Sequence, residues 1–439
     1  MINAFNKFFE HVKEQKIFSI SEFIKEMEPK FEAAGYRQTP KVTAYSERRQ
    51  TKILLIQDAG AGDFVIHTGL IREIRRIYPK AYIALIVKPQ AFQLAELCPY
   101  VDEVIINRGK FIYVNFSEIF IDYVKFAEKL LSYKFDICFS LAYMSETPLL
   151  MYMSGARVRI AANIYAGEND EKSFSNTTLF NFKSAAQFLT DIVPIISYRC
   201  HRVDTAFSML EYFLHAPIEN RSLEIWYSPF DLNVAKDFVA GASRPLYALC
   251  MGGSHPRKFY PPEKYAKFLE LVINDEPSAT FVILGGGNND LQSAEILKNS
   301  VPKIYAENVI DLTHKISYRQ SAAVLSLCNA YIGNDTGTMH LAAAVNCPVM
   351  EINCFPADVP ILEGDDLAVY YPYGVPNVIV RPKNALPECT ADKPHNSYGC
   401  RILIQPHCIT QINPQILYDG FKFLKKRIAE NNLKPLYIS

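Results

Sequence analysis

Residues 332–347 read IGNDTGTMHLAAAVNC, and few stretches restrict a fold more tightly. A short apolar run, 330–332, stops at Gly333 and passes directly into small and polar residues. From Met339 the pattern turns helical, with Leu341, Ala342, Ala343, Ala344 and Val345 as close-packing positions. A strand that ends at Gly333, turns through Asn334, Asp335, Thr336 and Gly337, and enters a helix belongs to an α/β architecture. Such a turn collects free backbone N–H groups and the positive end of a helix in one place, which suits a phosphate. The same residues also fit an ordinary capped turn, in which Asp335 and Thr336 serve only the helix.

The rhythm recurs on both sides of this stretch. Residues 53–57 (ILLIQ) form a wholly apolar strand, followed by DAGAGDFVIHT and a helix over 69–77. Strands over 81–87, 101–106, 135–141 and 157–161 alternate with helices near 92–97 and over 144–153, the mark of a parallel sheet wrapped by helices. The stretch 111–126 is aromatic, helical in its second half and read as core; 161–181 reads as a long loop, and 182–214 as helical around Pro194. Strands over 247–251, 280–284 and 304–311, helices over 263–274 and 317–328, and a strand over 349–353 repeat the pattern. A chain of 439 residues exceeds what one core sustains, so two domains are expected. The composition shift near Pro217 and Pro229 places the boundary at 228/229, and a last helix runs over 414–428. Before all this, Phe5, Phe8, Phe9 and Val12 share a helical face, and Ser19 with Glu22 cap a second helix carrying Phe23, Ile24 and Met27. Both helices are read as packed on the body or at a subunit contact.

Balanced charge, 46 basic against 46 acidic residues, gives no basic surface for duplex nucleic acid. No apolar run reaches the roughly 18 residues of a membrane span, and the N-terminus lacks a signal-peptide core. A cytoplasmic protein, working at the inner-membrane face if its acceptor is a lipid, is the expectation. Ten cysteines in so long a chain are read as reduced thiols.

Three spaced motifs carry a resemblance. The segment 53–68, the segment 249–261 and GNDTGTMHLAAAVNCPV resemble, in that order along the chain, the signatures of the heptosyltransferase family of bacterial glycosyltransferases, family 9. The resemblance spans about residues 52 to 424. It implies the α/β GT-B arrangement: a helical extension (1–50), an acceptor domain (51–228), a nucleotide-sugar domain (229–412) facing it across a cleft, and a C-terminal helix (413–439) that crosses back to the first domain. It implies that the Asp335-Thr336-Gly337 turn grips a nucleoside diphosphate. Lys258, in SHPRKFYP where Tyr260 replaces the family's Trp, would offset charge on the leaving diphosphate. Asp63, in GAGDF, is the implied general base, since a sugar hydroxyl attacks poorly until its proton is removed. Gly252, Ser254, Asp311 (near the ribose) and His340 complete the expected donor contacts; His67 and Thr68 match the motif as structural residues. Asp63 also reads as a helix cap, Asp311 as a strand-end cap, Lys258 as a surface lysine and His340 as a buried histidine. Cys354, Cys389, Cys400 and Cys408 lack the paired spacing of a zinc site and are read as thiols first, a metal cluster second.

The expected activity is inverting transfer of a sugar, heptose from ADP-heptose foremost, to a hydroxyl of a lipopolysaccharide or other surface-glycan precursor, with no cofactor required. Two rivals remain. One is an O-heptosyltransferase acting on Ser or Thr of an autotransporter-type protein. The other is a non-catalytic nucleotide-sugar-binding assembly partner, with oligomer contacts through the N-terminal extension.

Overall fold

Apolar runs punctuated by Gly and Pro fold here into two parallel sheets. The computed structural model describes residues 7, 20–34, 50–108, 116–141, 147–163, 186–194, 200–253, 255–358, 366–386 and 406–439. Two units emerge: Met1–Ile196 with Thr205–Glu219, and Ser197–Asp204 with Asn220–Ser439. The division falls at Glu219/Asn220, earlier than the expected 228/229. The reason is local: the Ile218 N–H donates to Glu211 in the first unit, whereas Arg221 pairs with Asp204 at 2.9 Å in the second.

In the first unit helix α1 (Ile20–Ala33) precedes β1 (Lys52–Gln57), α2 (Ala61–Val65), α3 (Thr68–Ile77), β2 (Tyr82–Val87), α4 (Pro89–Ala95) and β3 (Glu103–Ile106). Next come α5 (Phe116–Tyr133), β4 (Ile137–Ser140), α6 (Thr147–Met153), β5 (Val158–Asn163), β6 (Asp191–Pro194) and α7 (Arg202–Leu214). The strands lie in the order β3-β2-β1-β4-β5-β6, all pairs parallel. Buried on both faces, β1 and β2 need no polar alternation, which is why they read as continuous apolar runs. In α1, Phe23, Met27 and Phe31 recur every fourth residue and are fully buried against Tyr152 and Phe188. Each such burial contributes about 1.5–3 kcal/mol, so this part of the extension is packed on the body, as expected. Phe5, Phe8, Phe9, Val12 and the loop residues 164–185 lie outside the described residues. The segment read as helix before Pro194 contains instead the edge strand β6. There β-branched Ile192 and Val193 pair with β5, and Pro194, which lacks an N–H, is tolerated because the strand is at the edge.

The second unit runs α8 (Pro229–Val239), β7 (Leu246–Cys250), α9 (Pro262–Asp275), β8 (Thr280–Leu284), α10 (Asn288–Ser300), β9 (Val309–Asp311) and α11 (Tyr318–Leu325). It continues through β10 (Ala330–Asn334), α12 (Gly337–Ala344), β11 (Val349–Ile352), α13 (Asp366–Val369), β12 (Asn377–Val380), α14 (Pro414–Ala429) and β13 (Tyr437–Ile438). Its order is β13-β12-β11-β10-β7-β8-β9. The extended stretch expected from 304 is a 3-10 turn, Lys303–Asn308, before the short β9. The helix expected to cross back, α14, closes the second core: Leu417, Phe421 and Leu424 pack with Tyr247, Phe268 and Val380, because its buried stripe matches the groove left by α9 and β12. Gly420 is required there, since a Cβ would lie 2.8 Å from Ile438 and 3.1 Å from Val380. No described helix is long and apolar enough to cross a membrane.

Candidate active site

Both sheets have the 3-2-1-4-5-6 order of dinucleotide-binding folds, in which the chain leaves β1 (or β7) in one direction and returns on its other side. Ligands bind outside the carboxyl ends of strands at that reversal. In the second unit the reversal lies between β7 and β10. The register sets Cys250 beside Gly333 and Leu284, and Gly333 beside Glu351, so the loops after four strands start level. Gly333 must be glycine: a Cβ would lie 2.4 Å from the Cys250 carbonyl oxygen and 2.7 Å from the Tyr331 hydroxyl. Asn334 then ties the two strands together. Its amide donates to the Met251 and Gly252 carbonyls, while its oxygen accepts from Tyr265 at 2.9 Å.

A cavity of about 310 Å³ opens over these ends. Gly252, Gly253, Thr336, Gly337 and Thr338 line one side; Gly285, Gly286, Asp290, Ile316, Tyr318 and Ser321 line the rest. At the turn the capping reading holds for Thr336 and not for Asp335. Thr336 is the cap of α12, its hydroxyl accepting from the Thr338 N–H at 3.2 Å. Asp335 caps nothing; its Oδ2 accepts from Lys258 Nζ at 2.6 Å, and both side chains are 11% exposed. Helix geometry leaves the Gly337 N–H without an intrahelical acceptor, at the positive end of α12. Gly337 is not among the positive-φ glycines, so its role is close approach and not backbone strain.

Lys258 is held by a single 3-10 turn, Pro256–Lys258, whose far side is anchored by buried Tyr260 donating to the Ile412 carbonyl at 3.0 Å. Arg257 beside it is buried as deeply, with its guanidinium 5.6 Å from the Phe355 ring, while His255 is exposed. Burial pushes the Asp335 carboxyl up, but Lys258 beside it, with His340 and Arg257 farther off, brings it below the usual carboxylate range. His340 is 5% exposed and its Nδ1 has no hydrogen-bond partner. Burial lowers its pKa to about 4 against the opposing pull of Asp335, so at neutral pH it is an uncharged imidazole beside the ion pair.

Asp311 is not part of the cavity lining. Its carboxylate accepts from Lys298 at 2.5 Å and from the Thr313 N–H at 3.0 Å, the strand-end arrangement that was the other reading. Sequence reasoning missed the acidic residue that does line it. Asp290, at the third position of α10, accepts from the Gly286 and Gly287 N–H groups at 2.9 and 2.7 Å. Its side chain fills the space over the strand-end glycines: a Cβ on Gly252 would lie 1.9 Å from its Oδ1, and one on Gly285 2.5 Å from its Cβ. An acid three residues into a helix after GGG was the available signal. Ser254 lies outside the described residues.

The first unit carries the matching loop at its own reversal, between β1 and β4. Asp63 is half-buried and its Oδ2 accepts from the Gly60 N–H at 2.9 Å, so the capping reading of Asp63 is realised. His67 donates from Nδ1 to the Asp63 carbonyl at 2.6 Å, and Thr68 donates to the Val65 carbonyl at 2.8 Å, both fixing the backbone. Among the described residues no three His, Cys, Asp or Glu side chains are grouped as metal ligands. Cys408 is buried against His407, Cys354 is half-buried, and Cys389 and Cys400 fall outside the described residues.

Comparison with known proteins places this arrangement. Residues 178–353 match the model of glycosyltransferase family 9 (heptosyltransferase). The chain is 31% identical to the lipooligosaccharide heptosyltransferase 2 of Haemophilus influenzae over 110 residues, which is 25% of this chain and 31% of that one. Against the lipopolysaccharide heptosyltransferase 2 of Escherichia coli it is 22% identical over 69% of its own length and 82% of the relative's. Two solved structures share the fold. A family 9 glycosyltransferase of Veillonella parvula has TM-score 0.65 at 17% identity, covering 87% of this chain and 99% of that one. The Escherichia coli ADP-heptose lipopolysaccharide heptosyltransferase II has TM-score 0.60 at 16% identity, covering 86% and 99%. With two parallel sheets of the same order, a family match that runs through the Lys258 loop and the Asp335 turn, and heptosyltransferases among its relatives, the protein carries a glycosyltransferase family 9 (heptosyltransferase) domain over residues 178–353 and is a transferase of GT-B fold.

Proposed function

We propose that the cavity of the second unit binds an ADP-sugar, ADP-heptose foremost, and that the enzyme transfers the sugar with inversion to a hydroxyl of a lipopolysaccharide or related surface-glycan precursor. The observation that carries this is the buried Lys258–Asp335 pair beside the Thr336–Gly337 turn, at the reversal point of the sheet. The heptosyltransferases it resembles supply the donor and acceptor class. The Gly337 N–H and the α12 dipole meet phosphate oxygens, and glycines at 252 and 253 let the backbone come close. Asp290 Oδ1, buried without a hydrogen-bond partner, offers an acceptor for a hydroxyl of the nucleoside.

The chemistry is a single displacement. Asp63 accepts the proton of the acceptor hydroxyl as its oxygen attacks the anomeric carbon from the face opposite the diphosphate, which inverts that centre. The bond from that carbon to the β-phosphate oxygen breaks, and the electron pair leaves with ADP. Lys258 stabilises the charge gathering there, with Arg257 adding positive potential. The test is to incubate the purified protein with ADP-heptose and measure ADP release with and without acceptor lipid. Slow release alone, accelerated by a heptose-accepting lipid A core precursor, is the expected result. No release under either condition, with ADP-heptose bound, would leave a nucleotide-sugar-binding protein and overturn the proposal.

A further inference from the structure

The start of α11 forms another part of the cavity wall, lined by Ile316, Tyr318 and Ser321. Ser321 is 7% exposed. Its hydroxyl donates to the Ser317 carbonyl at 3.1 Å, one turn earlier. A serine hydroxyl has one hydrogen and two lone pairs. With the hydrogen directed back along the helix, the lone pairs of Ser321 are what it offers the cavity. Its neighbours Ile316 and Tyr318, both half-buried, bring apolar surface of the kind on which a heteroaromatic ring can stack. The Ser317–Gln320 cap holds the turn rigid, with the Gln320 N–H on Ser317 Oγ at 3.1 Å and the Ser317 N–H on Gln320 Oε1 at 2.8 Å.

Resting on the reading of this cavity as a nucleoside diphosphate site, we propose that Ser321 is a specificity-determining residue for the nucleobase. Its oxygen accepts a hydrogen bond from an exocyclic amino group of the kind adenine carries at position 6. A base presenting a carbonyl at that edge would bind only by drawing the Ser321 hydrogen away from the Ser317 carbonyl, so the site binds it less tightly.

Titration calorimetry on the full chain tests this with ADP and with purine riboside 5′-diphosphate, which differs from ADP only in lacking the 6-amino group. Wild type should bind ADP roughly 3–10-fold more tightly, the span expected for one hydrogen bond. Ser321→Ala should lose most of that preference by weakening ADP alone, a cycle that isolates the contact from any general change in the helix. Equal binding of both ligands by wild type would overturn the proposal. So would a Ser321→Ala protein that weakens both alike and keeps the preference, since that is the signature of a structural serine. Failure of wild type to bind either nucleotide would overturn the donor-site reading itself, whereas binding without preference would overturn only the role of Ser321.

Discussion

Each unit presents a strand, a glycine-bearing turn and a helix at the point where its sheet order reverses, and each turn carries an aspartate that the sequence marks alike. The structure uses them differently. Asp63 bonds within its own loop, to an N–H three residues back, and stays half-buried. Asp335 reaches across 77 residues to Lys258, is 9% exposed, and is held ionised by that partner. The pattern Gly, Asp and helix is therefore one local structure with two kinds of partner, one within the loop and one far along the chain. In the proposed function the first carboxylate accepts a proton and the second serves the diphosphate site.

Paired substitutions should break this symmetry most visibly. Asp63→Asn should lower kcat by about 10²–10⁴-fold with ADP affinity nearly unchanged, as for loss of a general base, and should leave the thermal midpoint close to wild type. Asp335→Ala should do the reverse in kind. It strands a buried ammonium and destabilises the second unit by about 3–5 kcal/mol, read from urea unfolding. If Asp63→Asn proved the strongly destabilising change and kept full turnover, the assignment of roles would be inverted.

A smaller effect concerns pH. His340 has its pKa lowered from 6.5 to about 4 by burial. Between those values the unfolded chain binds a proton that the folded chain refuses, so stability is fully present above about pH 6.5 and falls as pH drops toward 4. The linked loss is about 3 kcal/mol at most. The lowered carboxyl of Asp335 acts in the same direction, below its ordinary value of 3.8. Urea midpoints at pH 7 and pH 5 should differ for wild type, and the difference should shrink in His340→Gln.

Much of the fold was legible because parallel strands covered on both faces read as unbroken apolar runs, and ILLIQ, YIALIV and TFVIL are strands in the structure. The edge strand β6 was not, since four residues ending in proline carry too little pattern to stand apart from the apolar stretch around them. Nor was the docking of α14: its apolar stripe shows that a face is buried but not which core receives it. In the site, Lys258, Asp335, Thr336 and Gly337 were legible because the chain keeps them in short motifs. Asp290 and Ser321 were not, because each acquires its meaning from a distant surface: Asp290 from glycines 38 and 5 positions earlier, Ser321 from a cavity that exists only once β7, β8 and β10 lie side by side.

The central claim is that the buried pair at the second turn serves the diphosphate. It is tested most directly by titrating ADP into wild type and Lys258→Gln, a change that removes the charge yet keeps a hydrogen-bond donor for Asp335. ADP should bind roughly 10–100-fold more weakly to the variant, with the folded state confirmed by its thermal midpoint. Equal affinity in the two proteins would contradict the account, and would mean that Lys258 and Asp335 hold the loop together and do nothing for the ligand.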